Sequence, residues 1–483
     1  MDKQLFINGK MIKGEGNARI LINPATGQEL VTIYEATVEQ VEMAIQAAKT
    51  AFSETDWKQD KEERAALLMK LAGKLEENLE ELAKLETENT GKPIRESRLD
   101  IEDSAGCLKY YADLLRDQFS EMMEQWDGSA SIVKNVPFGV TGLIVPWNFP
   151  LLLGIWKIAP ALAAGNTVVF KPSELTPLSS IKLAELMGEC GFPEGVFNLV
   201  LGDGKTAGET ITASEDVQKI SFTGGTDTGR LINEQCARSF KNVSLELGGK
   251  SPLIIFDDTD IDKAVEWAIF GAFFNQGEVC VASSRILVQE DIYSDFTEKL
   301  TEKTKKIKLG DPFSEETEMG PVISMDHLRK IESYVEKGKA EGAKLLTGGE
   351  RTGKQGYYLT PVIFTDVTPD MEIVQEEIFG PFCVIQTFSS EEEAVEIANG
   401  TKYGLAAGIL SKDVERAERV ADQIDSGIIW INSYHTPFVN APWGGFKQSG
   451  TGRELGPHGL AAYSQPKHLN TNAVMGELGW YKF

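Results

Sequence analysis

The sequence predicts an α/β fold built on two mainly parallel sheets, and three observations carry that prediction. From Val140 onward, short apolar runs alternate with helical stretches; the rhythm breaks once, at Leu247-Gly248-Gly249-Lys250-Ser251-Pro252; and it then resumes as a second series. The first series is Leu143-Ile144-Val145, Thr167-Val168-Val169-Phe170, Val196-Phe197-Asn198-Leu199-Val200, Ile220-Ser221-Phe222 and Val243-Ser244-Leu245. Near-continuous apolar strands joined by helices read as βαβ units with both sheet faces covered. The second series is Leu253-Ile254-Ile255-Phe256, Ile286-Leu287-Val288, a helix-rich middle, Ala407-Gly408-Ile409-Leu410 and Ile428-Ile429-Trp430-Ile431. A glycine pair between two such series is a seam, and ligands of paired α/β domains sit in seams.

Upstream, Leu68, Leu71, Leu75, Leu79 and Leu82 step by three and four residues, which predicts one amphipathic helix closed by Gly91-Lys92-Pro93 and serving core packing.

The 483 residues allow two to four domains at ~100–200 residues each. With 42% hydrophobic and 25% charged residues, the composition is that of an ordinary folded protein. A formal net charge of -25 repels phosphate backbones and anionic lipid, so nucleic acid is not expected as a partner. The first residues, Met1-Asp2-Lys3-Gln4-Leu5-Phe6-Ile7, lack the pattern of a secretory or transit peptide. The apolar stretch from Leu151 to Ala164 is broken by Lys157 and Pro160 and is too short to span a bilayer, so no membrane span is expected. Cysteines 107, 190, 236, 280 and 383 form no CxxC pair, which favours reduced thiols in a cytoplasmic protein. Histidines 327, 435, 458 and 468 show no ligand spacing, and no metal is expected.

Several local motifs are each ambiguous alone. Gly202-Asp203-Gly204-Lys205-Thr206-Ala207 fits GxGxxG/A, but the acidic residues after it come too early for a dinucleotide fingerprint, so a plain strand-to-helix turn is the better reading. In Phe222-Thr223-Gly224-Gly225-Thr226-Asp227-Thr228-Gly229 a strand runs into glycines and a helix start, which can receive a pyrophosphate or be an ordinary turn. Lys171-Pro172-Ser173-Glu174 follows another strand end and offers a lysine and a carboxylate to ribose hydroxyls, or is a solvated turn. Cys280, after Asn275-Gln276-Gly277-Glu278-Val279, is a nucleophile or an inert core thiol. Glu246, between Leu245 and Leu247, is a desolvated carboxylate suited to general-base work or one held by a structural partner. Asn148, in Pro146-Trp147-Asn148-Phe149-Pro150, offers an amide donor on a stiff turn or simply forms that turn.

Taken together, and joined by Glu376-Glu377-Ile378-Phe379-Gly380-Pro381 and Pro442-Trp443-Gly444-Gly445, these segments resemble the aldehyde dehydrogenase superfamily, in the expected order. The resemblance runs from Ile7-Asn8-Gly9-Lys10 and Asn23-Pro24-Ala25-Thr26-Gly27 to Gly452-Arg453-Glu454-Leu455-Gly456. It implies oxidation of an aldehyde to a carboxylic acid with NAD, NADP being possible. Cys280 is then the nucleophile that forms a thiohemiacetal and a thioester. Asn148, with the Cys280 backbone N–H, is the oxyanion hole, and Glu246 activates the hydrolytic water. For the cofactor it implies Lys171 and Glu174 at the adenosine ribose, Gly224, Gly225 and Gly229 in the pyrophosphate loop, and Glu377 with Phe379 at the nicotinamide end. Trp147 and Gly248 shape the same cleft. At Gly225 the family often has serine, which removes one possible phosphate contact.

The implied architecture is a Rossmann-like cofactor domain (1–119 and 140–248), an α/β catalytic domain (249–447) and a small antiparallel oligomerisation flap (120–139 and 464–483). Residues 448–463 return to the cofactor domain, and a homodimer or homotetramer follows. Phe149, Trp156, Phe273, Phe274 and Trp443 are expected to line the approach to Cys280. Around Leu151 to Ala164 and Ala441-Pro442-Trp443-Gly444-Gly445 the chain resembles betaine-aldehyde and aminoaldehyde dehydrogenases. The aromatic wall therefore reads as a cage for a cationic aldehyde or as a channel for aliphatic and aromatic ones. Asp100 and Asp103, three apart, are expected to share a helix face at its mouth. Two alternatives compete: an acylating, coenzyme A-dependent relative, and a non-catalytic binding protein on the same fold. Retention of Cys280 and Glu246 argues against both.

Overall fold

The computed structural model describes residues 4–116, 121–124, 129–353, 355–475 and 477–481. Its largest sheet has eight strands, in the spatial order Lys10–Ile12, Leu5–Ile7, Phe197–Leu199, Thr167–Lys171, Val140–Ile144, Val217–Thr223, Asn242–Glu246, Gly450–Thr451. The middle five are mutually parallel, and antiparallel strands close both edges. Numbered along the chain, those five run 3-2-1-4-5, the order of a Rossmann sheet. Its ligands bind beyond the carboxyl ends of the strands, where the order reverses. That reversal lies between Val140–Ile144 and Val217–Thr223, so the segments leaving it are Val145 to Phe149 and Gly224-Gly225.

The second sheet has seven strands, in the order Lys344–Thr347, Val362–Thr365, Phe382–Phe388, Arg285–Gln289, Pro252–Ile255, Ala406–Leu410, Ile428–Ile431. All neighbours are parallel except the first pair. The chain passes from one sheet to the other between Glu246 and Pro252, at the expected glycine seam. The stretch expected to be rich in helix contributes three strands to this sheet as well. Phe382–Phe388 is buried along nearly its whole length in mid-sheet, and such a run has no alternation by which sequence could separate strand from helix.

The leucine-rich helix is two helices, Lys61–Glu77 and Leu79–Thr90. Asn78 (φ -107°, ψ 19°) stands between them and turns its side-chain amide onto the Lys74 carbonyl. Such a local side-chain bond competes with the helix ladder. Gly91, at φ +84°, ends the second helix as expected. The helix Ile94–Arg116 then packs back along the first.

A three-stranded antiparallel sheet stands apart, with Ala130–Pro137 paired to Ser464–Thr471 on one side and Glu121–Glu124 on the other. Of the segments expected to form a flap, residues 120, 125–128, 476, 482 and 483 lie outside the described residues. Among the described residues no helix is long and apolar enough to cross a membrane, and none forms a metal-holding group of His, Cys, Asp and Glu.

Candidate active site

Cys280 is reached through a tight backbone turn. The helix Ile261–Phe273 gives way to three successive residues in the left-handed region, Asn275 (φ 47°), Gln276 (φ 57°) and Gly277 (φ 69°). A side chain at Gly277 would meet the Gly380 carbonyl, so only glycine fits the third position. The turn delivers Cys280 to the amino-terminal edge of the second sheet, opposite the carboxyl edge of the first. Four of the five thiols are buried; Cys280 alone is partly open. Its environment pushes the thiol up to about 12, through burial first and then the carboxylates of Glu377 and Glu246.

Glu246 ends the last parallel strand of the first sheet and is 5% exposed. Its Oε2 finds no hydrogen-bond partner among the described residues. Burial, reinforced by the nearby Glu454 carboxylate, holds Glu246 well above the usual carboxylate range, against the opposing pull of Lys157 and Arg453. Beneath it Lys157 and Glu454 form a fully buried ion pair.

Asn148 lies where the first sheet reverses its order. Its Nδ2 donates to the Glu278 carbonyl at 2.9 Å, which spans 130 residues of sequence, and its Oδ1 is buried without a hydrogen-bond partner among the described residues. The Asn275 amide donates to the Asn148 carbonyl at 3.3 Å and to the same Glu278 carbonyl at 3.2 Å. Asn275 N–H donates in turn to Glu96 Oε2 at 3.1 Å. In the sequence Asn275 stands in the segment Asn275-Gln276-Gly277 with nothing local to mark this role.

The residues expected at the cofactor fall into three groups. Lys171 ends the strand Thr167–Lys171, buried, with its ammonium 3.9 Å from Glu174; burial lowers its pKa. Gly225 opens the helix Thr226–Ala237, and the space a side chain would take there is empty. Gly224 N–H donates to the Glu246 carbonyl at 3.0 Å, tying this loop to the base. Gly229 sits a turn further in, where an added methyl would collide with Leu247; it allows close packing of the helix and lies inside it instead of at the bare end. At the third group, Glu377 accepts from Gly249 N–H at 2.9 Å, and a side chain at Gly248 would strike its carboxylate. Burial raises Glu377 to about 7. Trp147 packs edge-on against Phe379, with ring centroids 5.3 Å apart. Gly202 to Gly208 is a strand-to-helix turn, as read, with Asp203 capping it through Thr206 N–H at 2.7 Å.

The aromatic wall resolves into two pairs. Phe149 stacks on Phe274 at 6.5 Å, and Trp156 meets Trp443 edge-on at 5.2 Å. His435, seen in the sequence only as a non-ligand, joins Phe274 at 5.1 Å and Phe270 at 6.2 Å. Phe273 is buried. Lys92 is fully buried, places its ammonium 4.1 Å from the centre of the Phe149 ring and pairs with Asp100. Asp100 and Asp103 do not share an environment as expected: Asp100 is buried and paired, Asp103 exposed. Glu86, Glu96 and Glu278 are also buried in Lys92's field. These roles depend on residues far apart in the chain, which left no local signal.

A Rossmann-ordered sheet beside a second α/β sheet is the fold of the class, and the chain belongs to the aldehyde dehydrogenase family, whose model matches residues 11–469. Among its relatives is the betaine aldehyde dehydrogenase of Bacillus subtilis (strain 168), 47% identical over all of both chains. The peroxisomal aminoaldehyde dehydrogenase 2 of Pisum sativum is 45% identical over 99% of this chain and 98% of its own. Among solved structures, betaine aldehyde dehydrogenase from Staphylococcus aureus in complex with NAD+ superposes with a TM-score of 0.98 at 44% identity, covering 100% of this chain and 97% of that one.

Proposed function

We propose that the protein oxidises an aldehyde to its carboxylic acid with NAD, through a thioester on Cys280. The observation that carries this reading is that the partly open Cys280 thiol lies in the field of the buried Glu246 carboxyl, while the Asn148 amide is bonded to the Glu278 carbonyl two residues before Cys280, beyond the carboxyl edge of a Rossmann-ordered sheet. Cys280 Sγ, its proton released to solvent, attacks the carbonyl carbon, whose π pair moves onto the oxygen. Asn148 and the Cys280 backbone N–H receive the oxygen as it gains charge, an interaction worth ~3–4 kcal/mol per donor. Glu246, whose pKa burial holds well above the usual carboxylate range, is in its ionised form a stronger base than an ordinary carboxylate and takes a proton from the water that cleaves the thioester.

The residues fit the dinucleotide. The open helix start at Gly225 suits the pyrophosphate. Lys171 and Glu174 suit the adenosine ribose, and Glu377, held on Gly249 N–H, is a ready acceptor for a ribose hydroxyl. Trp147, Phe379 and Gly248 bound the nicotinamide end. When bound, the nicotinamide accepts the hydride and brings positive charge beside the thiol. Glu174 accepts from a ribose 2′-hydroxyl and repels a 2′-phosphate, so NAD is preferred over NADP.

We take the substrate to be a cationic aldehyde, an ω-aminoaldehyde or betaine aldehyde. The relatives named for those substrates support this, as do the aromatic pairs Phe149–Phe274 and Trp156–Trp443, whose ring faces can receive a cation. One observation favours a broad range of uncharged aldehydes instead: Lys92 already sits over Phe149 and neutralises Asp100. A kcat/KM comparison of betaine aldehyde and 4-aminobutyraldehyde with hexanal and benzaldehyde separates the two, a tenfold advantage of either set deciding it. The isolated antiparallel sheet is the oligomerisation flap of a homodimer or homotetramer, and the five free thiols suit the cytoplasm.

The test of the reaction itself is Cys280→Ala, which should abolish NADH formation from every aldehyde while NAD binding persists. Retention of more than a few per cent of the rate would exclude the thioester. Product analysis with coenzyme A present should return free acid; acyl-coenzyme A would identify an acylating enzyme.

A further inference from the structure

We propose that Asn275 is a positioning residue whose side-chain amide clamps the oxyanion donor Asn148 to the loop that carries Cys280; the inference rests on the oxyanion reading of Asn148 given above. The geometry is closed. The Glu278 carbonyl accepts from Asn148 Nδ2 at 2.9 Å and from Asn275 Nδ2 at 3.2 Å, while Asn275 Nδ2 also reaches the backbone carbonyl of Asn148 at 3.3 Å. One amide group thus bridges two loops that stand 127 residues apart in the chain.

The bridge decides which way the Asn148 amide faces. Only the nitrogen side can approach a carbonyl, so the Glu278 oxygen fixes one N–H of Asn148 and leaves the other to be aimed at the reacting carbonyl. A flipped amide would set two oxygens against each other in a buried site. The Glu278 carbonyl can do this only if it is itself held still, and Asn275 holds it. Asn275 is 2% exposed, its N–H is fixed by Glu96 and its φ of 47° is one that asparagine tolerates better than most residues. Its side chain is bonded to the Asn148 and Glu278 carbonyls and to the Gln276 amide, so its effect on the reaction passes through Asn148.

The experiment is a double-mutant cycle on Asn148→Ala and Asn275→Gly, followed by kcat, KM and the rate at which iodoacetamide alkylates Cys280. Glycine keeps the left-handed backbone and removes the clamp. Asn275→Asp keeps size and backbone preference and replaces the donors by acceptors; it serves if the glycine variant does not fold. Asn148→Ala should cost ~100–1,000-fold in kcat. Asn275→Gly or Asn275→Asp should cost ~10–100-fold in kcat, with KM within ~3-fold and alkylation within ~2-fold of wild type, because alkylation needs no oxyanion donor. The double variant should be no slower than Asn148→Ala alone, within ~3-fold. Unaltered kcat in the Asn275 variants, multiplicative losses in the double, or a tenfold change in alkylation would each overturn the clamp. Full activity of Asn148→Ala would instead overturn the oxyanion reading, and the clamp with it.

Discussion

Lys92→Met should be among the most damaging single changes in this chain, although Lys92 touches no reacting atom. Its ammonium is the cation in a fully buried pair with Asp100 and lies 4.1 Å from the centre of the Phe149 ring. Around it Glu86, Glu96 and Glu278 are 1%, 4% and 2% exposed. Burial already pushes Glu86 to about 7 and Glu96 to about 8, with Lys92 pulling both down. Removing one partner of a buried pair costs ~3–5 kcal/mol, and the ring contact adds ~1–2 kcal/mol; carboxylates that take up protons recover part of this, leaving ~4 kcal/mol. At ~2–4 °C per kcal/mol for a cooperative unit of this size, thermal unfolding should begin ~8–16 °C lower. The sign with pH follows. A carboxyl whose folded pKa is raised binds protons more tightly when folded, so its contribution is present at low pH and is lost as pH rises through the folded pKa. Without Lys92 those values rise further, so the variant's deficit should be larger at pH 8.5 than at pH 6.5. Lys92→Met/Asp100→Leu, which replaces the pair by apolar groups, should regain at least half of the loss. A melting shift under ~3 °C, or a deficit that shrinks with rising pH, would refute the electrostatic reasoning.

Glu246→Gln should release a single burst of NADH and then turn over at under ~1% of the wild-type rate, since only thioester hydrolysis needs the base; unchanged steady-state turnover would point to another base. In the wild type, kcat limited by hydrolysis should climb as pH rises through the raised Glu246 pKa and fall on acidification, and a kcat that does not fall on acidification would contradict that assignment. Glu174→Gln should narrow the NAD over NADP preference in kcat/KM, and no change would remove Glu174 from the ribose. Gly229→Ala places a methyl into Leu247 and should cost ~1–3 kcal/mol in thermal stability; a neutral result would show that the helix can shift.

The parallel strands around the cofactor cleft were legible because each is a short apolar run between helices, and the glycine seam between the sheets was legible for the same reason. The strands Val362–Thr365 and Phe382–Phe388 were not, since a run buried on both faces carries no period, and neither was Lys344–Thr347, a four-residue edge strand that is exposed to half-buried and shows no alternation. The break at Asn78 escaped because the leucine spacing continues straight through it. In the site, Cys280, Glu246 and Asn148 stood in linear motifs. Asn275, Glu278 and Lys92 stood in linear segments too, but their roles were not legible there, because they act through partners that are distant in sequence or on another element. The expectation of two cooperating aspartates failed for the same reason, because Asp100 is claimed by Lys92.

The most direct test of the chemistry is to trap the intermediate. Glu246→Gln incubated with NAD and excess aldehyde, then quenched in acid and digested, should yield a Cys280 peptide heavier by the acyl group of the substrate acid, discharged by hydroxylamine and absent when NAD is omitted. An unmodified Cys280 peptide after a measured NADH burst, or an acyl group carried on any other residue, would contradict a thioester mechanism at Cys280.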